Sequence, residues 1–108
     1  TMTITTIPID LPQAKISEFC QQWQIKELAL FGSILRDDFT ENSDIDWLVT
    51  FNENSQWSLI DLVIMQEQLT KILGRKVDFI EKNVIENSPN WLRKKEILST
   101  AKPYYVKR

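Results

Sequence analysis

The stretch LFGSILRDDFTENSDIDWLVTF, residues 30–51, decides the fold, because it joins two predicted strands through a glycine turn. The apolar run over residues 25–31 predicts a strand that ends at Gly32. Residues 44–51 predict a second strand, since Ile, Trp, Val, Thr and Phe all favour a pleated surface. Five acidic side chains lie between the two apolar segments or at the start of the second. Carboxylates beside a buried strand are costly unless something offsets their charge.

Working outward, the apolar spacing predicts helices over four segments, which are residues 11–24, 34–37, 58–73 and 89–100. Gly74 is well placed to end the third of these helices. Residues 76–81 predict a third strand. The resulting order of elements predicts an α/β (α+β) fold, with a small mixed sheet of about three strands and helices on one face. The other face would then be open to a ligand.

One domain is expected over residues 1–108, because a chain of this length suits a single core and shows no linker or repeat. Residues 3–9 predict a ragged lead-in, and residues 103–108 a basic tail. Residues 1–88 carry a net charge of −7, whereas residues 89–108 carry +5. This basic end is either a solvated terminal helix or a surface for nucleic acid, a nucleotide or an acidic protein partner. The acidic body counts against direct binding of nucleic acid.

The composition excludes several kinds of site. The absence of histidine removes Ser-His-Asp and Cys-His catalysis and the commonest zinc ligand. Any metal must therefore be held by oxygen, which points to Mg²⁺, Mn²⁺ or Ca²⁺. The single cysteine, Cys20, fits a reducing cytosol and a place in the core. No secretory signal and no apolar run of about 20 residues is visible, so we expect a cytoplasmic protein without membrane contact.

Two carboxylates stand at the start of the second predicted strand. Alternate residues of a strand share a face, so Asp44 and Asp46 point one way and Trp47 points toward the core. Side-by-side carboxylates repel unless one is protonated or a cation lies between them. Asp78 has the matching parity in the third strand, so neighbouring strands would bring three acids together. Such a set suits one or two Mg²⁺ ions.

Each part of this pattern has a plainer alternative. Asp44 alone reads as a turn or cap residue, and Asp78 as a charge on an edge strand. Gly32 and Ser33 suit a bound phosphate, but they also suit an ordinary strand-to-helix turn with Ser33 as the N-cap. Taken singly, the plain interpretations are favoured. The combination of the glycine turn with three acids favours a site.

The combination resembles the nucleotidyltransferase superfamily related to DNA polymerase β. The matching motif is Gly32-Ser33, ten intervening residues and Asp44-Ile45-Asp46, followed by a separate strand aspartate. It is most similar to the minimal nucleotidyltransferases, the MntA-type (MNT) antitoxins paired with HEPN-domain toxins, and the similarity covers nearly the whole chain. Arg36 stands where the family often has arginine. Asp37 departs from the glycine that often follows it.

This resemblance implies roles for the motif residues. Gly32 and Ser33 would hold the triphosphate of ATP. Asp44, Asp46 and Asp78 would bind two Mg²⁺ ions, with Mn²⁺ as the alternative metal, and Asp78 would also be the general base. Arg36 would reach a phosphate or form an exposed ion pair, and the acids available for that pair are Asp37, Asp38 and Glu41.

The resemblance also implies a function. It is the Mg²⁺-dependent transfer of AMP from ATP to a hydroxyl, above all a tyrosine, of a cognate HEPN RNase toxin, which makes the chain an antitoxin. One alternative is a non-catalytic antitoxin that neutralises the toxin by direct binding. Another is nucleotidyl transfer to a small molecule or an RNA end.

Four further groups of side chains receive weaker interpretations. The parity of Trp47 favours packing over stacking on a base. Lys76 shares the parity of Asp78, and a surface salt bridge is favoured over a phosphate contact. Three residues widen the apolar stripe of the 58–73 helix and could face a partner, namely Ile60, Ile64 and Met65. The sequence does not decide the roles of Tyr104 and Tyr105 in the predicted tail.

Overall fold

The computed structural model describes residues 10–36 and 38–107, which contain four strands, four α-helices and a short 3₁₀ turn. The elements are α1 (Gln13–Gln22), β1 (Ile25–Phe31), a 3₁₀ turn (Gly32–Leu35), β2 (Ile45–Phe51), α2 (Leu59–Leu73), β3 (Val77–Glu81), α3 (Lys82–Glu86), α4 (Trp91–Thr100) and β4 (Lys102–Val106). The expectations for residues 3–9, Asp37 and Arg108 lie outside the described residues.

The strands form one mixed sheet in the order β3-β2-β1-β4. β1 runs antiparallel to both β2 and β4, whereas β2 and β3 are parallel. α2 supplies the crossover that a parallel pair requires. The predicted mixed α/β fold is confirmed, and the third strand lies beside the second, as the convergence of the acids requires.

The sheet is packed on both faces, so the expectation of helices on one face only is wrong. Leu30, Trp47 and Val77 lie in a core with the buried faces of α1 and α2. On the opposite face, Ala29, Phe31 and Leu48 pack with buried residues of α3 and α4, which are Ile85 and Ile97. The physical reason is visible in β1, where residues 28–31 are all buried and apolar, as in a strand covered on both sides.

A fourth strand replaces most of the predicted tail. Residues 102–106 form β4, whose Tyr105 pairs with Leu28 of β1. The ring of Tyr104 meets the buried ring of Trp47 edge to face, with 5.7 Å between centroids. Pro103 ends the helical segment, but an edge strand tolerates proline because one side of it needs no ladder hydrogen bond. The sequence also gave no sign of α3, which at five residues is too short to show a period.

Helix ends follow local chemistry. Ser58 and Asp61 form a reciprocal capping box that starts α2. Gly74 ends α2 in the left-handed conformation, with φ of 70°. The Asn90 side chain accepts a hydrogen bond from the Arg93 N–H, so α4 begins after Asn90 rather than at Pro89.

Several side chains have the environment that their spacing predicts. Trp47 is wholly buried, as its parity indicates. Cys20 is also in the core, and burial raises the pKa of its thiol to about 12, which keeps it unreactive. Met65 is buried in the core, so the expectation that it could face a partner is wrong, whereas Ile60 is 72% exposed and Ile64 38%. None of the helices in the described ranges is long and apolar enough to cross a membrane.

Candidate active site

The register of the sheet brings the strand acids together. Asp46 lies opposite Asp78 of β3 on one side and opposite Phe31 of β1 on the other. The carboxyl groups of Asp46 and Asp78 are within hydrogen-bonding reach of each other. Asp44 precedes β2 and is close enough to act electrostatically on Asp46. Strand parity therefore predicted the pairing of Asp46 with Asp78, whereas Asp44 lies just before β2. The role of all three as metal ligands stays a prediction.

Gly32 lies directly against Asp46. It begins the 3₁₀ turn with φ of 80°, a conformation that residues with side chains rarely adopt. A β-carbon placed on Gly32 would overlap the Oδ2 atom of Asp46. Glycine is therefore required here for two separate reasons, the backbone conformation and the space that the carboxylate occupies.

The electrostatics of Asp46 follow from its surroundings. Burial, and then repulsion from Asp78 and from Asp44, together raise the pKa of Asp46 from 3.8 to about 6. Arg36 acts in the opposite direction. The site therefore favours one bound proton or a cation, because two ionised carboxylates in contact repel each other.

The donor set fits an oxygen-bound divalent cation. All three acids offer carboxylate oxygens, which Mg²⁺ and Mn²⁺ prefer. Over the described residues, no three acidic or cysteine side chains are grouped tightly enough to enclose a metal ion as they stand. The close pair is Asp46 and Asp78, so the half-buried Asp44 side chain has to turn toward them to complete a three-ligand set.

The turn after β1 does not have Ser33 as its N-cap, so the plainer alternative for this residue is wrong. Its N-cap is Phe31 rather than Ser33, and no side chain caps it. Ser33 accepts the Arg36 N–H through its carbonyl, at 2.9 Å, and its hydroxyl makes no hydrogen bond with the described residues. The Ser33 hydroxyl is therefore available to a ligand.

Two basic side chains near the acids have different environments. Arg36 forms an ion pair with Asp38 at 3.2 Å, and both side chains are exposed, which is one of the two predicted outcomes. Such a pair contributes little to stability and is easily exchanged for a phosphate. Lys76 is exposed and forms no salt bridge within residues 10–36 and 38–107, so the expected surface pair is not present there.

Arg75 has a role at this site that its place in the sequence does not predict. Its Nη2 atom donates to the carbonyls of Thr40, Glu41 and Ser43, at 2.8, 2.8 and 2.9 Å. This turn leads directly into Asp44. No sequence pattern marks an arginine that binds backbone carbonyls 32 to 35 residues away.

A cavity of about 400 Å³ lies at the other end of the β2–β3 pair. Its lining includes Phe51, Trp57, Glu81 and Lys82. Since Asp46 and Asp78 are at the beginnings of β2 and β3, whereas the cavity is at their ends, it is separate from the acidic site.

Comparison with known proteins identifies this arrangement. A family model described as "Nucleotidyltransferase domain" matches residues 14–104. The chain belongs to the nucleotidyltransferase domain family. The resemblance in the motif and the predicted class of enzyme, a nucleotidyltransferase, are thereby confirmed.

Two named relatives are similar to a little under two thirds of the chain. A Methanocaldococcus jannaschii protein, provisionally named a protein adenylyltransferase, is 47% identical over 66 residues, which is 61% of this chain and 66% of the relative. The protein adenylyltransferase MntA of Thermococcus cleftensis is 33% identical over 70 residues, 65% of this chain and 69% of the relative. The matched segments thus span about two thirds of the relatives' length.

Solved structures share the nucleotidyltransferase fold. A protein provisionally named a minimal nucleotidyltransferase superposes with a TM-score of 0.65 and 26% identity, over 85% of this chain and 88% of that one. A toxin–antitoxin structure with AMP-PNP gives a TM-score of 0.68 at 20% identity, over 91% of this chain and 76% of that one. The structure of a tri-AMPylated Shewanella oneidensis HEPN toxin in complex with an MNT antitoxin gives a TM-score of 0.59 at 18% identity, over 88% of this chain and 70% of that one. The last two likenesses concern the fold alone.

The raised pKa of Asp46 predicts how stability changes with pH in the presence of a chelator. A carboxyl group with a folded-state pKa above its unfolded value stabilises the fold below the unfolded pKa, and this contribution is lost as pH rises through about 6. The rise in pKa from 3.8 to about 6 corresponds to about 3 kcal/mol. Screening at a half-exposed side chain reduces this energy to about 1–2 kcal/mol. From about pH 4 to about pH 7, the free energy of unfolding of the wild type, measured in urea, should therefore fall by about 1–2 kcal/mol more than that of Asp46→Asn. An equal difference between the two proteins at both pH values would contradict the assignment.

Proposed function

We propose that this chain is a protein adenylyltransferase that transfers AMP from ATP to a hydroxyl of a cognate HEPN toxin and so acts as its antitoxin. The observation that carries the proposal is the pair Asp46 and Asp78, in contact with each other and backed by Gly32, within a nucleotidyltransferase domain. A pure binding protein has no need to keep a pair of repelling carboxylates, because they cost stability.

In this proposal Asp44, Asp46 and Asp78 hold divalent cations, Mg²⁺ or Mn²⁺. Bound Mg²⁺ would offset charge on the α-phosphate and on the departing pyrophosphate and would make the acceptor hydroxyl more acidic. The Gly32 turn presents backbone N–H groups and the Ser33 hydroxyl to the triphosphate. Arg36 can exchange its exposed partner Asp38 for a phosphate oxygen.

Asp78 is the proposed general base. It is the most exposed of the three acids, so an acceptor hydroxyl can approach it from solvent. Asp78 takes the proton as the acceptor oxygen forms a bond to the α-phosphorus of ATP. The bond from that phosphorus to the bridging oxygen breaks, and pyrophosphate leaves with the electron pair.

The acceptor is proposed to be a tyrosine of a protein partner. In this proposal the acids and the Gly32 turn serve the nucleotide, and another protein presents the hydroxyl. The Thermococcus cleftensis relative is named a protein adenylyltransferase. This name supports ATP as the donor and a protein as the acceptor. Ile60 of α2 is exposed beside Leu59, which is 77% exposed, and such apolar surface suits a protein contact. We place this pair of proteins in the cytoplasm, where Cys20 would stay reduced.

The direct test is to mix the protein with Mg²⁺, ATP and the product of the neighbouring gene, and to weigh that partner by intact mass spectrometry. The expected result is a partner heavier by one or more AMP units, with no gain when the Asp44→Ala/Asp46→Ala variant is used. Peptide mapping should place the AMP on tyrosine. A partner that is inhibited but unmodified would overturn the proposal in favour of a binding antitoxin. AMP found on a small molecule or RNA end instead would overturn the protein acceptor.

A further inference from the structure

Arg75 connects the two segments of chain that carry the strand acids. It follows Gly74 at the end of α2 and precedes β3, which contains Asp78. Its guanidinium reaches the turn over residues 40–43, which ends next to Asp44. Two residues that would share a metal ion, Asp44 and Asp78, are thus tied together through one side chain.

The contacted turn already has its own internal hydrogen bonds. The Ser43 N–H donates to the Thr40 carbonyl at 3.1 Å, and the Thr40 N–H donates to the Ser43 hydroxyl at 2.9 Å. Arg75 adds donors from outside to the carbonyls of Thr40 and Ser43. The Ser43 carbonyl belongs to the peptide group that joins Ser43 to Asp44. Fixing this carbonyl therefore fixes the direction in which the Asp44 backbone leaves the turn.

The contacts of Arg75 are of a kind that arginine makes best. Its guanidinium carbon lies 4.7 Å from the centroid of the Phe39 ring, a cation–π contact. Arg75 forms no salt bridge with an acid among the described residues. Its buried Nε atom has no hydrogen-bond partner among those residues either. The charge is therefore offset by the carbonyls and the ring, and the planar group is held in one orientation.

We propose that Arg75 is a positioning residue that sets the place of Asp44 relative to Asp46 and Asp78, and so determines the affinity of the site for divalent cations. The inference rests on the proposed function only in that these three acids hold a cation. The Ile45 N–H bonds to the Lys76 carbonyl at 3.1 Å, so the backbone on both sides of this junction is fixed and Asp44 retains only its own side-chain freedom. Loss of the Arg75 contacts would let the turn move, so the Asp44 carboxylate would no longer be held in one position.

The test measures Mn²⁺ binding without ATP and without partner, by the loss of the free-ion signal in electron paramagnetic resonance. Arg75→Met should weaken Mn²⁺ binding by about tenfold or more, the usual effect of removing a residue that orients a metal ligand. Arg75→Lys should be intermediate, because an ammonium reaches the carbonyls but does not stack on Phe39. Ethylguanidine added to Arg75→Ala should restore part of the affinity.

Two control variants separate positioning from stability and charge. Gly74→Ala adds strain at the neighbouring residue, with nothing within 4 Å of the new β-carbon, and should lower the urea midpoint of unfolding without changing Mn²⁺ affinity. Arg93→Met removes an exposed charge from α4 and should also bind Mn²⁺ normally. If Gly74→Ala weakens binding as much as Arg75→Met, the residue acts through stability and the inference fails.

The failure of this inference differs from a failure of the proposed function. If Asp46→Asn binds Mn²⁺ as well as the wild type does, the acids do not hold the cation and the proposed function fails with the inference. If Asp46→Asn loses binding but Arg75→Met retains it, only the positioning role is overturned.

Discussion

Replacing Asp46 with asparagine is expected to lower the rate of AMP transfer by at least about a thousandfold while making the folded protein more stable at neutral pH. Loss of a metal ligand removes several kcal/mol of transition-state stabilisation, and about 4 kcal/mol corresponds to a thousandfold. The gain in stability has the opposite sign because asparagine relieves the repulsion from Asp78 and the burial of a charge. A residue that costs stability and is required for activity is characteristic of an active site.

The transfer rate is best measured with labelled ATP and the partner, and stability by urea unfolding in chelator at about pH 7. Glu53→Gln is the matched control, because it also neutralises an exposed acid, in the turn after β2, and should change neither quantity. Retention of near-normal transfer by Asp46→Asn would contradict the assigned role. A large loss of stability in that variant would show instead that Asp46 supports the fold.

Replacing Gly32 with alanine is expected to abolish most transfer and also to destabilise the protein. The left-handed conformation costs a residue with a side chain about 1–2 kcal/mol, and the new β-carbon would overlap Oδ2 of Asp46. The Asp46 carboxylate then has to leave its place beside Asp78. Transfer should fall by about a hundredfold or more, since small misplacements of reacting groups have effects of that size.

Gly74→Ala provides the matched control for this prediction. Gly74 has a similar φ of 70°, but nothing lies within 4 Å of an added β-carbon, so only the conformational cost of about 1–2 kcal/mol applies. The amount by which Gly32→Ala destabilises the protein more than Gly74→Ala therefore measures the cost of the overlap between the new β-carbon and Asp46. In the double variant Gly32→Ala/Asp46→Ala the excess should disappear, because the carboxylate is gone. Equal effects of the two glycine substitutions would show that Gly32 is required only as a turn.

Much of the acidic site could be predicted because strand periodicity is local. The alternation of Asp44, Ile45, Asp46 and Trp47 determines which side chains share a face, and the parity of Asp78 follows the same rule. The apolar run of β2 likewise marks a buried strand. The pairing of Asp46 with Asp78 then needed only one assumption, that β2 and β3 are neighbours, which the register confirms.

Features that depend on distant parts of the chain escaped the sequence analysis. The role of Arg75 depends on carbonyls brought near by the closure of the sheet, and carbonyls carry no sequence signal. The edge strand β4 looked like a tail because a short segment with Pro103 has weak strand character until β1 offers a partner. The helix over residues 89–100 was predicted, but its place on the second face was not, because a helical pattern does not show which face of a sheet the helix covers.

The central claim is that Asp44, Asp46 and Asp78 hold divalent cations against a nucleotide bound at the Gly32 turn. Its most direct test is a crystal structure with Mn²⁺ and a non-hydrolysable ATP analogue, with the metal located by anomalous scattering. The account predicts anomalous peaks at about 2.1 Å from carboxylate oxygens of the three aspartates, with the phosphates lying between those peaks and Gly32-Ser33. Bound nucleotide with Mn²⁺ located away from these acids would contradict the account.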